Sequence, residues 1–375
     1  MTFQTLWVEM SPARYPVYIG ENIFNDPELL KPHIHGHQVM IVTQENIAAL
    51  YLAPLQSVLQ DYQCDVWYLP DGEVHKNITQ WQKLLAALIE RHERSTTVIA
   101  LGGGVVSDLA GFAAACFQRG ANYLQIPTTL IAQVDAAIGG KTAINHMRGK
   151  NLLGVFYQPQ CVITDIQLLQ SLPPRDYRAG LAEVIKYGLI NDANFFCWLE
   201  ENIEALKKRE RQALLYAIAQ STRIKAAIVA VDERDNGLRR ILNFGHTFGH
   251  ALETATQYTA LLHGEAVAIG MLMGIQLSLQ TGWITQTDAQ RMVALLSTAG
   301  FDLHVTLPPI PQFIELMRRD KKTFAGKLTL ILLREPGSAF QTIMDEAPIV
   351  AMLQQYILAG EKLLPSRIEW EKDYS

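Results

Sequence analysis

The chain has 375 residues, 49% hydrophobic and 18% charged, an ordinary globular composition that argues against disorder and is long enough for two domains. A formal net charge of −5 offers no global attraction for nucleic acid or an anionic membrane, so any anion site must be a local basic pocket. The four cysteines, Cys64, Cys116, Cys161 and Cys197, form no CxxC pair, a usage that suits reduced thiols better than a disulfide framework or a thiolate zinc site.

The first twenty residues lack a basic start followed by an apolar core, so no signal peptide is expected. No uninterrupted apolar run approaches the roughly 20 residues of a membrane span. A soluble cytoplasmic protein is the expectation. Along the first half, HQVMIVT (37–43), CDVWYLP (64–70), TTVIALGGG (96–104) and ANYLQIP (121–127) read as strands. Between them, NIAALYLAPLQSVLQDY and ITQWQKLLAALIERHER read as helices, and this alternation predicts a parallel sheet covered by helices. The stretch QPQCVITDIQLLQSLPP (158–174) reads as extended, and Pro173–Pro174 marks a boundary. Long helical patterns then dominate from Tyr177 to about residue 300, with KLTLILL (327–333) as a late strand or hairpin. The expected architecture is an α/β parallel-sheet domain over 1–174, followed by a mainly α-helical domain over 175–375. A cleft between such domains is a common place for a ligand.

VIALGGGVVSDLAGF sets Gly102, Gly103 and Gly104 between a strand and a helix, with Asp108 in the first helical turn. Glycine admits close approach to a ligand, and a helix N-terminus offers free N–H groups to phosphate. The spacing is GGGxxxD rather than GxGxxG, so an ordinary Rossmann fingerprint is absent; a tight strand–helix turn explains it equally well. In IPTTLIAQVDAAIGGKTAIN, Asp135 lies in an apolar run and calls for a fixed partner, because an unpartnered buried charge is costly. GGKT lacks the full phosphate-loop spacing, which disfavours a nucleoside triphosphate. Arg119, Lys141, Lys150 and Asn151 could form an anion pocket or stand as scattered surface groups.

In the second half, Glu183 and Lys186 share a helix face among apolar neighbours in RAGLAEVIKYGL, and a metal would be one reason to bury Glu183. Lys225 precedes an apolar run, from which it could simply snorkel to the surface. In RRILNFGHTFGHALE, Arg239, Asn243, His246 and His250 would fall on one stripe if the segment is helical, with Gly245 and Gly249 allowing close approach on a neighbouring face. HExxH is missing, because Thr247 stands where its glutamate would be. Two histidines and a carboxylate make a three-ligand zinc site with an open position. Glu183, His246 and His263 could supply it, and so could His250 in place of either histidine.

Together, GGGVVSDLAGF, PTTLIAQVDAAIGGKTAIN, GKNLLG, GLAEVIKYG, DERDNGLRRILNFGHTFGHA and HGEAVAIGM resemble the 3-dehydroquinate synthase family of sugar-phosphate cyclases. The resemblance runs from DGEVHK at 71–76 to RRDKKTFAGKL at 318–328. It implies a Rossmann-like NAD domain, an α-helical metal and substrate domain, and a homodimer. The implied reaction converts 3-deoxy-D-arabino-heptulosonate 7-phosphate to 3-dehydroquinate and phosphate by transient oxidation, phosphate elimination, reduction and aldol closure.

The resemblance also implies Glu183, His246 and His263 as ligands of zinc or cobalt, with His250 a polar group at the reacting centre. Substrate contacts implied are Asp135, Lys141, Asn151, Lys186, Lys225, Arg239 and Asn243, with Arg119 on the substrate phosphate, together with one of Lys321 and Lys322. For NAD, the matching positions are Asp71, Gly72, Glu73, Val74, His75 and Lys76, then Gly104, Val105, Val106, Ser107 and Asp108, then Thr128, Thr129, Lys141 and Lys150, with Asn46 near the ribose. Gln44, Ser107, Ala136 and Ala137 depart from residues common in the family. Competing readings are a sister cyclase acting on another sugar phosphate, a metal-dependent polyol dehydrogenase that would release NADH, and a non-catalytic NAD- and metal-binding module.

Overall fold

The computed structural model describes residues 3–10, 13–257, 259–320 and 327–358, so Lys321 and Lys322 lie outside the described residues. It forms two compact units, Met1–Tyr177 with Arg211–Arg239, and Arg178–Glu210 with Arg240–Ser375. The chain first crosses from one unit to the other close to the expected boundary at 174. It then returns, so the second unit is not one continuous stretch.

The first unit opens with β1 (Phe3–Glu9) and β2 (Arg14–Gly20), an antiparallel pair, then α1 (Pro27–Leu30). There follow β3 (Gln38–Thr43), α2 (Glu45–Val58), β4 (Gln63–Tyr68), α3 (Ile78–Arg91), β5 (Thr97–Gly102), α4 (Gly104–Cys116) and β6 (Asn122–Pro127). A hairpin of β7 (Lys141–His146) and β8 (Gly149–Phe156) precedes β9 (Cys161–Asp165). Seven strands form one sheet in the order β1-β2-β9-β6-β5-β3-β4, parallel except at β1. The strands expected from alternating runs are present. The N-terminal hairpin and β7–β8 were not legible as strands.

The sheet is buried on both faces because successive side chains alternate. Val39, Ile41, Ile99 and Leu101 pack with Leu55 and Leu59 of α2. Met40, Val42, Val98 and Ala100 pack on the other side with Leu84 and Leu88 of α3 and Val106 and Leu109 of α4. The strand order changes direction between β3 and β5, so the loops after these strands flank a switch point, the usual ligand crevice of an open α/β sheet.

The extended reading of 158–174 holds only through Asp165. A 3-10 turn, Ile166–Ser171, follows because the Asp165 carboxylate accepts the Gln167 N–H at 2.8 Å and caps it. Then come α5 (Pro174–Asn191), α6 (Ala193–Lys207) and α7 (Arg211–Val231). α7 packs on β1, β2 and the π-helical turn Ala132–Ala136, which is why it belongs to the first unit. It is the one helix among the described residues long and apolar enough to cross a bilayer, yet 61% of that window is buried inside the protein, as in a core helix.

The second unit adds α8 (His246–Ala255), α9 (His263–Gln280), α10 (Gln286–Thr298) and α11 (Ile310–Asp320), then the hairpin β10 (Leu328–Glu335) and β11 (Ser338–Met344), then α12 (Glu346–Leu358). α9 is apolar on all sides and buried from Ala266 to Ser278, packed by α8, α10, α12 and β10.

Candidate active site

In the second unit the single stripe expected from Arg239 to His250 does not form. Leu238–Asn243 is a short 3-10 helix, and the chain breaks at Gly245, whose φ of +79° is a left-handed conformation that favours glycine. α8 then starts at His246, so His246 and His250 remain one turn apart, with ring centroids 5.4 Å apart and edge to face. A Cβ at Gly245 or Gly249 would stand 2.8 Å from the Val267 carbonyl or 3.0 Å from that of Ala266, so both glycines let α8 lie close on α9. Asn243 caps its own short helix, its amide donating to the Arg240 carbonyl at 3.2 Å.

That contact brings the first residues of α8 and α9 to Glu183 of α5. His246 Nε2 lies 3.5 Å and His263 Nε2 3.7 Å from Glu183 Oε1. One ligand atom from each of the three residues lies within 4.8 Å of the others. Glu183 is fully buried, and neither carboxylate oxygen accepts a hydrogen bond, although the Lys186 ammonium is in ion contact with Oε2. Lys186 answers Oε2, and the buried Oε1 that remains is costly unless a further cation joins it.

His246 is prepared to be a neutral ligand. Burial first, then the positive charge of Lys186 and the neighbouring His263 and His250, hold the His246 imidazolium well below its ordinary 6.5. Its Nδ1 lies 3.1 Å from the Phe244 carbonyl, which takes the proton there and leaves the Nε2 lone pair toward Glu183. His263 is set at the start of α9 by Glu265, whose carboxylate accepts the Leu262 N–H at 2.9 Å. The residues therefore fit a divalent cation with two nitrogen ligands and one oxygen ligand. His250 stands beside them, its ring 5.9 Å from that of His263, and a second grouping of His250, Glu253 and His263 is equally compact. Glu253 escapes a sequence reading because burial of one helical glutamate follows from tertiary packing. Its only signal is the helical spacing from His246 and His250.

In the first unit, the loop after β4 carries Asp71, which accepts a hydrogen bond from the Gln44 amide at 3.0 Å, and Gly72 with φ +106°. Glu73, Val74 and His75 form a 3-10 turn that delivers Lys76 inward. Lys76 is 4% exposed and joins Asp108 at 2.9 Å and Glu73 at 3.2 Å. Burial alone would lower its pKa, but the two carboxylates overcome burial and raise it, so the ammonium stays charged. Burial likewise pushes the Glu73 carboxyl up, and Lys76, Lys150 and the Asn145 amide more than reverse this.

Gly104, Val105, Val106, Ser107 and Asp108 form the first turn of α4, at the end of β5 on the switch point. Thr128 hangs from the Gly102 carbonyl by its N–H, and its buried Oγ1 has no hydrogen-bond partner. Thr129 Oγ1 accepts the Ala132 N–H at 3.2 Å. Open helix-turn N–H groups, an unpartnered hydroxyl and the switch point together fit a dinucleotide. Asn46 lies at the start of α2, its side chain accepting the Ile47 N–H.

The fixed partner expected for Asp135 is Lys225. Its ammonium lies 2.6 Å from Asp135 Oδ1 and also donates to the Asp135 carbonyl, so it is buried and paired rather than snorkelling. Arg239, 1% exposed, donates to the carbonyls of Gly139 and Glu233, and Tyr15 Oη accepts the Gly139 N–H at 3.0 Å. These bonds clamp the Gly139–Gly140 turn that leads to Lys141, which is paired with Asp235. Asn151 has φ +55° and its N–H bonds the Asn145 side chain, while Arg119 occupies an exposed turn after α4. Lys141, Lys225 and Arg239 are thus each tied to a separate partner. Tyr15 lies outside every motif, while Asn145, Glu233 and Asp235 sit within motif stretches in which only their neighbours drew notice.

Models of the 3-dehydroquinate synthase N-terminal and C-terminal regions match residues 66–179 and 180–323. A 3-dehydroquinate synthase of Pseudomonas putida (strain W619) is 51% identical over 92% of this chain and 94% of its own length. One from Nitrosococcus oceani is 52% identical over 90% and 95%. The chain belongs to the 3-dehydroquinate synthase family. Among solved structures, a 2-epi-5-epi-valiolone synthase from Streptomyces hygroscopicus subsp. jinggangensis 5008, with NAD+ and Zn2+ bound, gives a TM-score of 0.85 at 26% identity, covering 93% of this chain and 98% of that one. A glycerol dehydrogenase from Sinorhizobium meliloti shares the fold alone, with a TM-score of 0.65 at 14% identity over 92% and 96% of the two chains. The boundary between the two 3-dehydroquinate synthase regions, at 179/180, falls inside α5, close to where the chain first changes unit.

Proposed function

We propose that this chain, a member of the 3-dehydroquinate synthase family, converts 3-deoxy-D-arabino-heptulosonate 7-phosphate to 3-dehydroquinate and phosphate. The observation that carries the reading is Glu183 Oε1, fully buried with no hydrogen bond and faced by two histidine Nε2 atoms in a family member. Glu183, His246 and His263 would hold zinc or cobalt. The loop at 71–76, the turn at 104–108, Thr128, Thr129, Lys141 and Lys150 would hold NAD. When bound, NAD supplies a hydride acceptor and donor, and the cation supplies Lewis-acid polarisation of a substrate oxygen.

The protein's own groups do the holding. Substrate carboxylate and phosphate need cations fixed in place, because keeping one flexible molecule oriented through several steps is mainly a matter of position. In the first unit the proposed contacts are Asp135, Lys225, Arg239, Lys141, Asn151 and Arg119. Lys225 is oriented by Asp135, and Arg239 by two backbone carbonyls. In the second unit they are Lys186, Asn243 and His250. Lys186, 1% exposed and with its ammonium 5.3 Å from the Tyr187 ring centroid, is held rigidly enough to orient a hydroxyl or move a proton. We place the enzyme in the cytoplasm as a homodimer.

The test is to supply the heptulosonate phosphate with NAD+ and Zn2+. Phosphate and dehydroquinate should appear together, EDTA should abolish both, and NADH should not accumulate. The second reading is a metal-dependent polyol dehydrogenase, which would release NADH. Stoichiometric NADH would establish it in place of the cyclase.

A further inference from the structure

Glu253 is a buried carboxylate to which the proposed chemistry gives no task. It lies on α8, is 2% exposed, and directs Oε2 to His263 Nδ1 at 3.4 Å. The same imidazole turns Nε2 toward Glu183 Oε1 at 3.7 Å. A neutral imidazole carries one ring proton, and the partner of one nitrogen decides which nitrogen stays free to bind a metal. His246 meets that requirement with the Phe244 carbonyl. We infer that Glu253 is the positioning residue that does the same for His263, accepting the Nδ1–H hydrogen bond so that the Nε2 lone pair aims at the cation.

This inference rests on the metal reading above, and one geometric rival exists. His250, Glu253 and His263 also bring one ligand atom each within 4.8 Å and could be the ligands themselves. Two observations favour the positioning role. The rival would leave Glu183 Oε1 fully buried with no hydrogen bond, Lys186 answering only Oε2. It would also leave His246 Nε2 directed at that carboxylate with no cation between them.

The experiment compares the full-length wild type with Glu253→Gln and Glu183→Gln. Zinc affinity is read by chelator competition, the cobalt-substituted protein by its visible absorption, and the metal-free forms by thermal unfolding. A glutamine keeps the volume but is a weaker acceptor for the Nδ1 proton. Glu253→Gln should therefore still bind one zinc, with affinity reduced about 10- to 100-fold and an altered cobalt band, as outer-shell partners of metal-bound histidines generally show. A merely structural role for Glu253 would lower the unfolding temperature and leave affinity and spectrum unchanged, which overturns the inference. Complete zinc loss in Glu253→Gln with retention in Glu183→Gln overturns it in favour of the rival set.

If the wild type binds no stoichiometric zinc, the metal reading itself fails. Should Glu253→Gln not fold, nitrogen-15 histidine spectra of the zinc-loaded wild type decide the question. His263 should appear protonated at Nδ1 and metal-bound at Nε2, and a metal-bound Nδ1 would refute the assignment.

Discussion

The two units treat their buried charges differently. In the first, Lys76 is closed between Glu73 and Asp108, Lys225 on Asp135, and Arg239 on backbone carbonyls. In the second, the buried Glu183 meets the Lys186 ammonium at Oε2, while Oε1 accepts no hydrogen bond and faces two imidazoles, of which burial keeps that of His246 neutral. A closed network is satisfied by the polypeptide alone and fixes loops before any ligand arrives. An oxygen left open beside neutral imidazoles is completed only when a further cation joins it. The first unit should therefore owe its stability to its own pairs, and the second should gain stability from metal.

The largest expected effect separates the two histidines of α8. His246→Ala should lose bound zinc with a drop in affinity greater than the roughly 10- to 100-fold typical of outer-shell changes, and turnover should vanish with it. His250→Ala should keep the metal and lose turnover. Metal analysis beside phosphate-release assays checks both, and equal metal loss in the two variants would show that the open site extends to His250.

Lys76→Met probes the closed network. Methionine keeps most of the volume and removes the cation from between two carboxylates, so unfolding in urea should show a loss of about 3–5 kcal/mol, with or without zinc. A loss that zinc repairs would break the contrast between the units.

These differences also mark what the sequence made legible. Strands β3 to β6 were readable because short, continuous apolar and β-branched runs between helical stretches mark the strands of a sheet covered on both faces, and the ligand types at Glu183, His246 and His263 were readable as residues. Local spacing left His250 interchangeable with His246, and what separates them is a tertiary distance, His246 Nε2 lying 3.5 Å from Glu183 Oε1. β8 escaped because Leu152 and Leu153 are exposed, so no buried face shows in its pattern. The return of α7 to the first unit and the burial of Glu253 are tertiary facts, to which no nearby residue testifies.

Acid should act on the open site through His246. Its folded-state pKa lies well below 6.5, so as pH falls below that value the unfolded chain takes up a proton that the metal-free folded chain refuses. More protons bound in the unfolded state means that stability is full above about 6.5 and is lost as pH falls below it. Urea unfolding of metal-free protein between pH 8 and pH 5, compared with His246→Gln, measures this. Identical slopes for the two proteins would remove His246 as the source.

The smallest effect is expected at Lys141 and Asp235, where the lysine side chain is 50% exposed. Solvent screens such a pair and ordering the lysine costs entropy, so Asp235→Asn should change stability by less than about 1 kcal/mol. Its use as a probe lies elsewhere. If Lys141 is held by Asp235 for an anionic ligand, releasing it should change KM for NAD or the sugar phosphate while the unfolding curve stays in place. If the pair instead belongs to the closed scaffold, as Lys76 and Asp108 do, the curve should shift and KM should not. The readout therefore assigns Lys141 to one kind of charge or the other, which its exposure and its partner leave undivided.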